Sequence, residues 1–338
     1  MINNKISLVV TTINKPNNNI KLFSKNSKIH KWNFVVVGDK KTPKNFSLRY
    51  GEYFDLKRQR KLNFKFSLKC PENSYARKNI GYLLAIKNLS EIIVETDDDN
   101  CPKKNFFSKL NLVHKVKEIK NNNWVNIYNL FVKKKKLIWP RGLPLDLLTN
   151  KKIIIKNIIK SNFYLQQGVC ENNPDVDAIY RLIHNKINIK FKNNYKVSLG
   201  KSLSTFNSQN TIWFKPIFPL LYLPVTCPMR CTDIWRSLIA LKILKNDNKK
   251  ILFFGTTMFQ NRNYHDLLND FEQELPMYLN NKKMFEILDN LKLKKGKDNY
   301  IKNLLISYEV LIKNKFISKS ELKYLNLWIE DYKMLMKK

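Results

Sequence analysis

Glycine is scarce in this sequence, with eight residues among 338. The chain has no GxxxxGKS/T phosphate loop and no GxGxxG dinucleotide motif, which excludes two common ways of binding a nucleotide. It has no HExxH motif, and its four histidines are isolated from one another, so zinc-peptidase chemistry is not expected. The five cysteines follow no metal-ligand spacing, and their odd number favours a reducing compartment.

Long apolar segments are missing as well. No window reaches the roughly 18 consecutive apolar residues of a membrane-spanning helix. The apolar stretch near the start is too short and too β-branched for a secretory signal, and no small-residue cleavage site follows it. We therefore expect a cytoplasmic location.

Acidic residues are few, 27 against 62 Lys and Arg, and the formal net charge is +35. Such an excess is typical of proteins that bind nucleic acid or an anionic membrane surface. The basic residues are scattered, however, and Lys, Asn and Ile are abundant together, as an AT-rich coding sequence would produce. We therefore expect no specific nucleic-acid partner, and we keep peripheral contact with an anionic membrane, weakened by salt, as an open alternative.

What the sequence does contain is a core and a strand pattern. Its 43% apolar and 12% aromatic residues are sufficient for a folded domain. Continuous apolar strands are predicted at 6–12, 33–37 and 92–96, with helical stretches between them, the second beginning after Ser74. This β-α-β-α-β order predicts an α/β fold with a mostly parallel sheet and helices on both faces. Farther along, a strand is predicted at 124–131, a helix is predicted to start at Asp175, and only helices are predicted from about Tyr264 onward.

Three consecutive aspartates, Asp97 to Asp99, directly follow the third predicted strand. Carboxylates seldom lie buried without a partner, and neighbouring negative charges raise one another's pKa unless something compensates them. A divalent cation that bridges to a diphosphate would compensate them, and a solvated acidic turn is the alternative. An EF-hand is excluded because Pro102 occupies the position that requires glycine.

Polar residues follow each of the three predicted strands, and ligands of parallel sheets bind beyond the carboxyl ends of the strands. Asp97 and Asp99 share one side of an extended chain. An Asp-x-Asp pair of this kind serves many nucleotide-sugar transferases, where it holds Mn²⁺ or Mg²⁺. Arg77, with Lys78 and Asn79, lies in the first turn of the helix after Ser74, where positive charge opposes the helix dipole. These residues are predicted to meet an anion at the strand end, with a solvated basic face as the alternative.

Seven sequence blocks together match a known family. They are 74–83 (SYARKNIGYL), 95–100 (ETDDDN), 139–145 (WPRGLPL), 167–169 (QGV), 173–182 (NPDVDAIYRL), 206–211 (FNSQNT) and 230–236 (RCTDIWR). In this order, from about residue 5 to about residue 275, the chain resembles the STELLO family of glycosyltransferase-like proteins. The C-terminal helices are expected to lie outside the resemblance.

The resemblance implies a GT-A-like fold, in which a nucleotide-binding parallel sheet with an Asp-rich metal motif precedes an acceptor-binding half. It implies a domain at 1–262, with a nucleotide-binding half at 1–100 and an acceptor half at 101–262. The helical pattern after this domain predicts a helical C-terminal extension at 263–338. The plant members of the family are anchored in Golgi membranes. We find no such anchor in this sequence, so that location is not carried over.

Roles for individual residues follow from the motifs and the resemblance. Asp97 and Asp99 are predicted to hold the metal, with Asp97 also contacting the donor, and the other expected donor contacts are Thr11, Asn14, Asp39 and Arg77. An inverting transferase needs a carboxylate that takes the acceptor proton, and the candidates are Asp175 and Asp177, followed by Asp233. A salt bridge from Asp177 to Arg181, four residues on, is the structural alternative. The expected acceptor or substrate contacts are Arg141, Arg181, Asn207, Gln209 and Asn210.

The function expected from these features is a metal-dependent glycosyltransferase of polysaccharide biosynthesis. It would move a sugar from a nucleotide-sugar donor to a glycan, lipid-linked or protein acceptor. Three alternatives remain open at this point: a nucleotide-sugar mutase or hydrolase on the same scaffold, a non-catalytic glycan-assembly protein, and a basic nucleic-acid binder. A mutase or hydrolase would act on the donor alone, and a glycan-assembly protein would not bind the donor. A nucleic-acid binder would lose affinity steeply as the salt concentration rises.

Overall fold

The computed structural model of the chain describes residues 5–134, 136–148, 152–184 and 186–337, and in this range it confirms the mixed α/β fold. The strands are β1 (Ile6–Thr12), β2 (Asn33–Gly38), β3 (Glu52–Phe54), β4 (Ile92–Asp97), β5 (Asn100–Pro102), β6 (Val113–Ile119), β7 (Ile155–Asn162), β8 (Leu165–Asn172), β9 (Lys196–Ser198), β10 (Asn210–Phe214) and β11 (Ile251–Gln260). The α-helices are α1 (Asn18–His30), α2 (Leu56–Arg60), α3 (Lys65–Lys69), α4 (Lys78–Lys87), α5 (Tyr128–Phe131), α6 (Ala178–Ile183), α7 (Thr232–Asn246), α8 (Leu267–Asp289), α9 (Tyr300–Lys313) and α10 (Glu321–Met336). Short 3-10 turns lie at Tyr75–Arg77, Leu145–Leu147, Lys215–Leu221, Met229–Cys231 and Lys297–Asn299.

The strands form one sheet in the order β3-β2-β1-β4-β10-β8-β11-β9-β6-β7, with β5 paired to β11. The strands β2, β1 and β4 run parallel to one another, as predicted, and β3, for which no prediction was made, is parallel to β2. The next strand, β10, is antiparallel to both of its neighbours, β4 and β8, whereas β8 and β11 are again parallel. The predicted parallel sheet is therefore found in the first half, and the second half is mixed.

Both faces of the first half of the sheet are covered, which explains why its strands are continuously apolar. Alternate residues of β1 enter different cores: Val9 packs with Ile80 and Leu83 of α4, whereas Leu8 and Val10 pack with Phe23 of α1. Such alternation follows from the two-residue repeat of a strand. The helices therefore sandwich β1 and β4 and leave the carboxyl ends of these strands at one edge.

Gly81 allows α4 to lie close to β1. A Cβ atom at this position would come within 2.5 Å of Val9 Cγ1, so any other residue would push the helix away from the sheet. This close approach brings the N-terminal end of α4 over the ends of the strands.

The predicted helical C-terminus is confirmed as α8, α9 and α10. These helices are tied to the rest of the chain by buried carboxylates. Glu321 of α10 accepts hydrogen bonds from Thr226 N at 2.7 Å and Tyr222 Oη at 2.5 Å, and Asp331 accepts one from Phe66 N at 2.8 Å. The helices thus share a core with the sheet-containing part, and the boundary at residue 262 stays a prediction.

Two local predictions are wrong. The strand predicted at 124–131 is a single bridge from Trp124 to Leu203, followed by α5. A short apolar run does not distinguish a strand from a buried helical turn, and tertiary contacts decide between them. The helix expected from Asp175 begins at Ala178, because the side chain of Asp177 caps it. No helix in the described ranges is both long and apolar enough to cross a membrane.

Candidate active site

The ends of the first three predicted strands meet, as the sequence indicated. In the parallel pairs Thr11 lies opposite Asp97 and Thr12 lies opposite Gly38, which directly precedes Asp39. The polar residues after β1, β2 and β4 consequently share one edge of the sheet. This edge is where ligands of such sheets bind.

Asp98 faces the α1 side, and uncharged donors stabilise its carboxylate by hydrogen bonds. Its Oδ2 accepts hydrogen bonds from Thr12 Oγ1 at 2.5 Å and from Asn14 Nδ2 at 2.9 Å, and its Oδ1 accepts one from Asn263 Nδ2 at 3.1 Å. Asn14, predicted to contact the donor, thus holds Asp98. With both oxygens bonded, Asp98 serves to anchor the strand end.

Asp97 points to the opposite face and meets a buried cation. Its Oδ1 accepts hydrogen bonds from Lys78 Nζ and Tyr75 Oη, both at 2.8 Å, and Lys78 has no exposed surface. Lys78 is therefore paired with Asp97 itself, and contact of this helical turn with a bound anion stays a prediction. The other oxygen, Oδ2, accepts no hydrogen bond from the part of the chain that the structure describes.

Arg77, which we expected at the diphosphate, is directed elsewhere. Its Nε donates to Gln59 Oε1 at 2.9 Å, and its Nη1 donates to the carbonyl oxygens of Cys70 and Pro71 at 2.9 and 3.1 Å. Successive residues of a helical turn point about 100° apart, so Arg77 and Lys78 cannot both face Asp97. The structure selects Lys78.

Asp99 is the carboxylate with an unused buried oxygen. Only 6% of the residue is exposed, and Oδ2 accepts a hydrogen bond from Gln260 Nε2 at 2.8 Å. Its Oδ1 is buried with no hydrogen-bond partner among the described residues. Burial, followed by the negative charge of Asp97, raises the pKa of Asp99 to about 7. An unpartnered buried carboxylate oxygen is costly and favours a bound cation.

Asp39 and Thr11 complete the edge. Asp39 accepts hydrogen bonds from the backbone of Asn73 and Ser74, each at 2.9 Å, and so fixes the turn that precedes Tyr75. Thr11 is half-buried on the same face as Asp97. Asp39 thus has a structural role, and donor contact by Thr11 and Asp39 stays a prediction.

A hydrogen-bonded path leads away from Asp97 along the edge. The Tyr75 hydroxyl, which donates its proton to Asp97, accepts a hydrogen bond from Ser208 Oγ, and Ser208 N donates to Asp233 Oδ2 at 3.2 Å. Asp233 in turn accepts from Arg141 Nη2 at 2.9 Å. The acidic strand end is thereby connected to the first turn of α7.

Arg141 lies between two carboxylates. Its Nε and Nη2 donate to Asp175 at 2.8 and 2.9 Å, while Nη1 and Nη2 donate to Asp233 at 3.0 and 2.9 Å. Burial opposes the ionisation of Asp233, but the charge and hydrogen bonds of Arg141 overcome it and hold the pKa of Asp233 at about 2. Arg141 is itself 5% exposed, so its main role is to position these carboxylates.

The three candidate bases differ in what they contact. Asp177 is fully buried, and it accepts from Tyr180 N at 2.8 Å and from Trp139 Nε1 at 2.6 Å, which makes it the N-cap of α6. Asp233 is surrounded by donors. Asp175, which is 9% exposed and accepts from Asn207 Nδ2 at 2.8 Å, is the most accessible of the three.

The salt bridge considered between Asp177 and Arg181 is absent. Arg181 instead donates to the Pro174 carbonyl at 2.8 Å, and its Nε is buried without a partner in the described chain. Burial, together with the positive charges of Arg262 and Arg230, lowers the pKa of Arg181 to about 9. Arg181, Arg230 and Arg262 thus form a cluster. Only Arg181 had a predicted role, because Arg230 and Arg262 belong to distant segments of the chain.

The three remaining residues predicted to contact the acceptor or substrate, Asn207, Gln209 and Asn210, do not lie together. Asn207 lies against Asp175, as noted above. The Asn210 side chain donates to Thr257 Oγ1 at 3.0 Å and faces the side of the sheet that carries Thr96. Gln209 is buried, and its carbonyl accepts from Thr96 Oγ1 at 2.7 Å. Only Asn207 of this group therefore joins the carboxylates.

Several residues of the site carried no predicted role. Tyr75 and Ser208 lie within the quoted blocks 74–83 and 206–211, so a closer look at these blocks could have found them. Gln260 ends the last strand and Asn263 follows it, and no local pattern indicates that they contact the acidic run. The described residues contain no group of three or more His, Cys, Asp or Glu that could hold a metal, so the protein would supply at most two carboxylates.

Replacement of Asp177 by Ala is expected to destabilise the protein by about 2 kcal/mol, because it removes the helix cap and the acceptor of the Trp139 ring N–H. Urea-induced unfolding of the variant measures this. Asp177→Asn, which keeps a capping side chain, is the matched variant and should lose less. Equal stability of Asp177→Ala and the unaltered protein would contradict the cap assignment.

Comparison with known proteins comes from two sources. A family model described as STELLO glycosyltransferases matches residues 230–338. The chain is 25% identical over 331 residues to the probable glycosyltransferase STELLO2 of Arabidopsis thaliana, covering 91% of this chain and 42% of that protein. It is 24% identical over 327 residues to the probable glycosyltransferase STELLO1 of the same plant, covering 90% and 41% respectively. The chain thus spans about two fifths of the length of these relatives.

The extent of the similarity corrects one expectation. We expected the resemblance to end near residue 275, but the family match runs to residue 338 and includes α9 and α10. The C-terminal helices carry buried contacts to the sheet-containing part, which explains why they are shared. Over most of its length this chain is similar to the STELLO glycosyltransferases, as its motifs predicted.

Proposed function

We propose that this protein is a metal-dependent glycosyltransferase that moves a sugar from a nucleotide-sugar donor to a glycan, lipid-linked or protein acceptor. The observation that carries the proposal is the buried, unpartnered Oδ1 of Asp99 at the edge where Asp97 keeps Oδ2 unused. The names of the two relatives support transfer of a sugar. The other parts of the proposal rest on the chemistry of the edge.

Asp97 and Asp99 fit a hard divalent cation. Mg²⁺ and Mn²⁺ prefer carboxylate oxygens, and Mg²⁺ is usually held by one or two carboxylates together with water and substrate phosphates. Two protein ligands are therefore sufficient. When bound, the metal would stabilise the negative charge that develops on the leaving diphosphate.

One arginine of the cluster is suited to the phosphates of the donor. Arg230 pairs with Glu274 and Arg262 with Asp270, so these two guanidinium groups are already compensated within the protein. Arg181 has a buried Nε without an acceptor in the described chain. Guanidinium groups bind phosphate oxygens through charge-assisted hydrogen bonds, so we assign to Arg181 the role once expected of Arg77.

Asp175 is our proposed general base in an inverting reaction. It is more exposed than Asp177 and Asp233, and Arg141 and Asn207 hold its carboxylate in one orientation. A base of this kind takes the proton of the acceptor hydroxyl as the bond to the sugar forms. Thr11 and Asp39 would border the nucleoside at the ends of β1 and β2.

A thermal-shift experiment tests the metal site. Mn²⁺ with a saturating nucleoside diphosphate should raise the melting temperature, because a ligand at about 100 times its Kd stabilises by about 2.7 kcal/mol. The double variant Asp97→Asn with Asp99→Asn should show no shift. Asp146→Asn with Asp298→Asn, which removes two exposed carboxylates, is the matched control and should keep it. A full shift in the first double variant would refute the site.

A further inference from the structure

A cavity opens on the face of the sheet that carries Val94 and Ile212. It has a volume of about 400 Å³, within the range of known ligand pockets. All of its lining residues lie in strands and loops. Neither Asp97 nor Asp99 is among the described residues that line it, so this groove is distinct from the carboxylate edge.

The floor of the groove is formed by four neighbouring strands. Ile212 of β10 lies opposite Val94 of β4 and Gln166 of β8, and Gln166 lies opposite Leu252 of β11. Opposed residues share a face, so these side chains form one row across the sheet. The floor is therefore apolar with an amide in its middle.

Gly168 has no side chain, and this leaves room beside the groove for the side chains of Asn210 and Phe254. A Cβ atom there would lie 2.2 Å from Asn210 Nδ2 and 2.6 Å from the Phe254 ring. Asn210, which was expected to contact a substrate, lines this groove together with Phe254. Asn210 is 1% exposed and its Nδ2 donates to Thr257 Oγ1, so its amide belongs to the floor of the groove, on the face opposite to Asp97.

The walls are amide-rich and positively charged. The remaining lining amides are those of Asn105, Asn111, Asn193 and Asn194. Lys109 and Lys196 also line the groove, and neither forms an ion pair within the described ranges. No Asp or Glu is found among the described lining residues. Amides can both donate to and accept from hydroxyl groups, and the lysines favour an anion.

We propose that this groove binds an anionic oligosaccharide, with the amides contacting its hydroxyl groups and Lys109 and Lys196 its carboxylate, sulfate or phosphate groups. A cleft whose charges have one sign concentrates ligands of the opposite sign. The groove would bind its ligand whether or not the carboxylate edge transfers a sugar, so the two proposals can fail separately.

The aromatic residues argue for a glycan over single-stranded nucleic acid. Nucleic-acid grooves stack bases on exposed aromatic rings. The aromatic residues that line this groove, Trp32, Phe106 and Phe254, are only 8, 4 and 8% exposed, so they offer edges and little stacking surface. The exposed lining residues are Asn105, Ser108, Lys109, Asn111, Asn193, Asn194 and Lys196.

The proposal is tested by calorimetric titration of the full chain with acidic oligosaccharides that carry carboxylate, sulfate or phosphate groups. The neutral probe is maltotetraose, and an oligothymidylate tests the nucleic-acid alternative. Lys109→Ala with Lys196→Ala should weaken binding of the acidic glycan by about tenfold, because two charge-assisted contacts are lost. Lys302→Ala with Lys313→Ala, exposed lysines of α9, removes the same charge elsewhere and should leave the affinity unchanged.

A second variant separates the groove from general charge effects. Ser108→Trp adds a bulky ring at an exposed lining position and should abolish glycan binding, while the thermal shift with Mn²⁺ and nucleoside diphosphate stays as in the unaltered protein. The proposal would be overturned by no saturable binding of any acidic glycan, by equal binding of maltotetraose, by tighter binding of the oligothymidylate, or by equal losses in the two lysine pairs.

Discussion

Asp175→Asn is expected to reduce sugar transfer by about 10³-fold. General-base catalysis contributes about 10²–10⁴-fold, and an amide of the same shape cannot accept the acceptor proton. Release of the nucleoside diphosphate is the measurement, with the nucleotide sugar that gives the largest Mn²⁺-dependent thermal shift as donor. Since Asp175 is paired with Arg141, the melting temperature of the variant must show that it is folded at the assay temperature.

Two comparisons identify the base. The Asp175→Asn variant should keep its thermal shift with Mn²⁺ and nucleoside diphosphate, because Asp97 and Asp99 are unchanged. Asp177→Asn should retain turnover per folded molecule, because Asp177 caps α6. Normal turnover in Asp175→Asn would remove Asp175 from the mechanism. Diphosphate release that needs no acceptor would favour the hydrolase alternative.

Arg236→Met is expected to destabilise the fold by about 4 kcal/mol. Arg236 Nη2 donates to Glu95 Oε1 at 2.8 Å, and the two side chains are 1 and 0% exposed. Removal of one member of a buried pair leaves an uncompensated charge, which costs about 3–5 kcal/mol. Tyr82 and Trp213 would still donate hydrogen bonds to Glu95, but both donors are uncharged and cannot compensate its negative charge. Urea denaturation measures the loss.

The control for this prediction removes both charges. Arg236→Met with Glu95→Gln should recover part of the lost stability, since no unpaired charge remains. Lys65→Met, which breaks the exposed pair with Glu330, should change stability little. A loss no larger for Arg236→Met than for Lys65→Met would show that the buried pair is not needed.

Much of the first half of the fold could be predicted because its signals are local. The strands β1, β2 and β4 are continuous apolar runs, and Ser74 caps the turn that leads into α4, as expected. The insertion of antiparallel β10 between β4 and β8 could not be predicted. Its place depends on pairing across more than 100 residues, for example between Ile212 and Val94, and no local pattern encodes it.

The position of the acidic run was predictable, but the state of each carboxylate was not. Hydrophobic periodicity places Asp97 to Asp99 at a strand end, and spacing separates Asp98 from its neighbours. Whether a carboxylate is free depends on donors from distant segments. Asn263 reaches Asp98 from 165 residues away, and Gln260 reaches Asp99 from 161 residues away.

By itself, the amino-acid sequence determined that β1, β2 and β4 form strands and that carboxylates follow the last of them, because apolar runs and residue types are properties of short segments. The tertiary structure alone decided which of these charges are compensated. Lys78 neutralises Asp97 and amides hold Asp98, while Asp99 keeps one buried oxygen without a partner in the described chain. The physical reason is that the free energy of a buried charge is set by the groups within a few ångströms of it, and folding brings these together from remote parts of the chain.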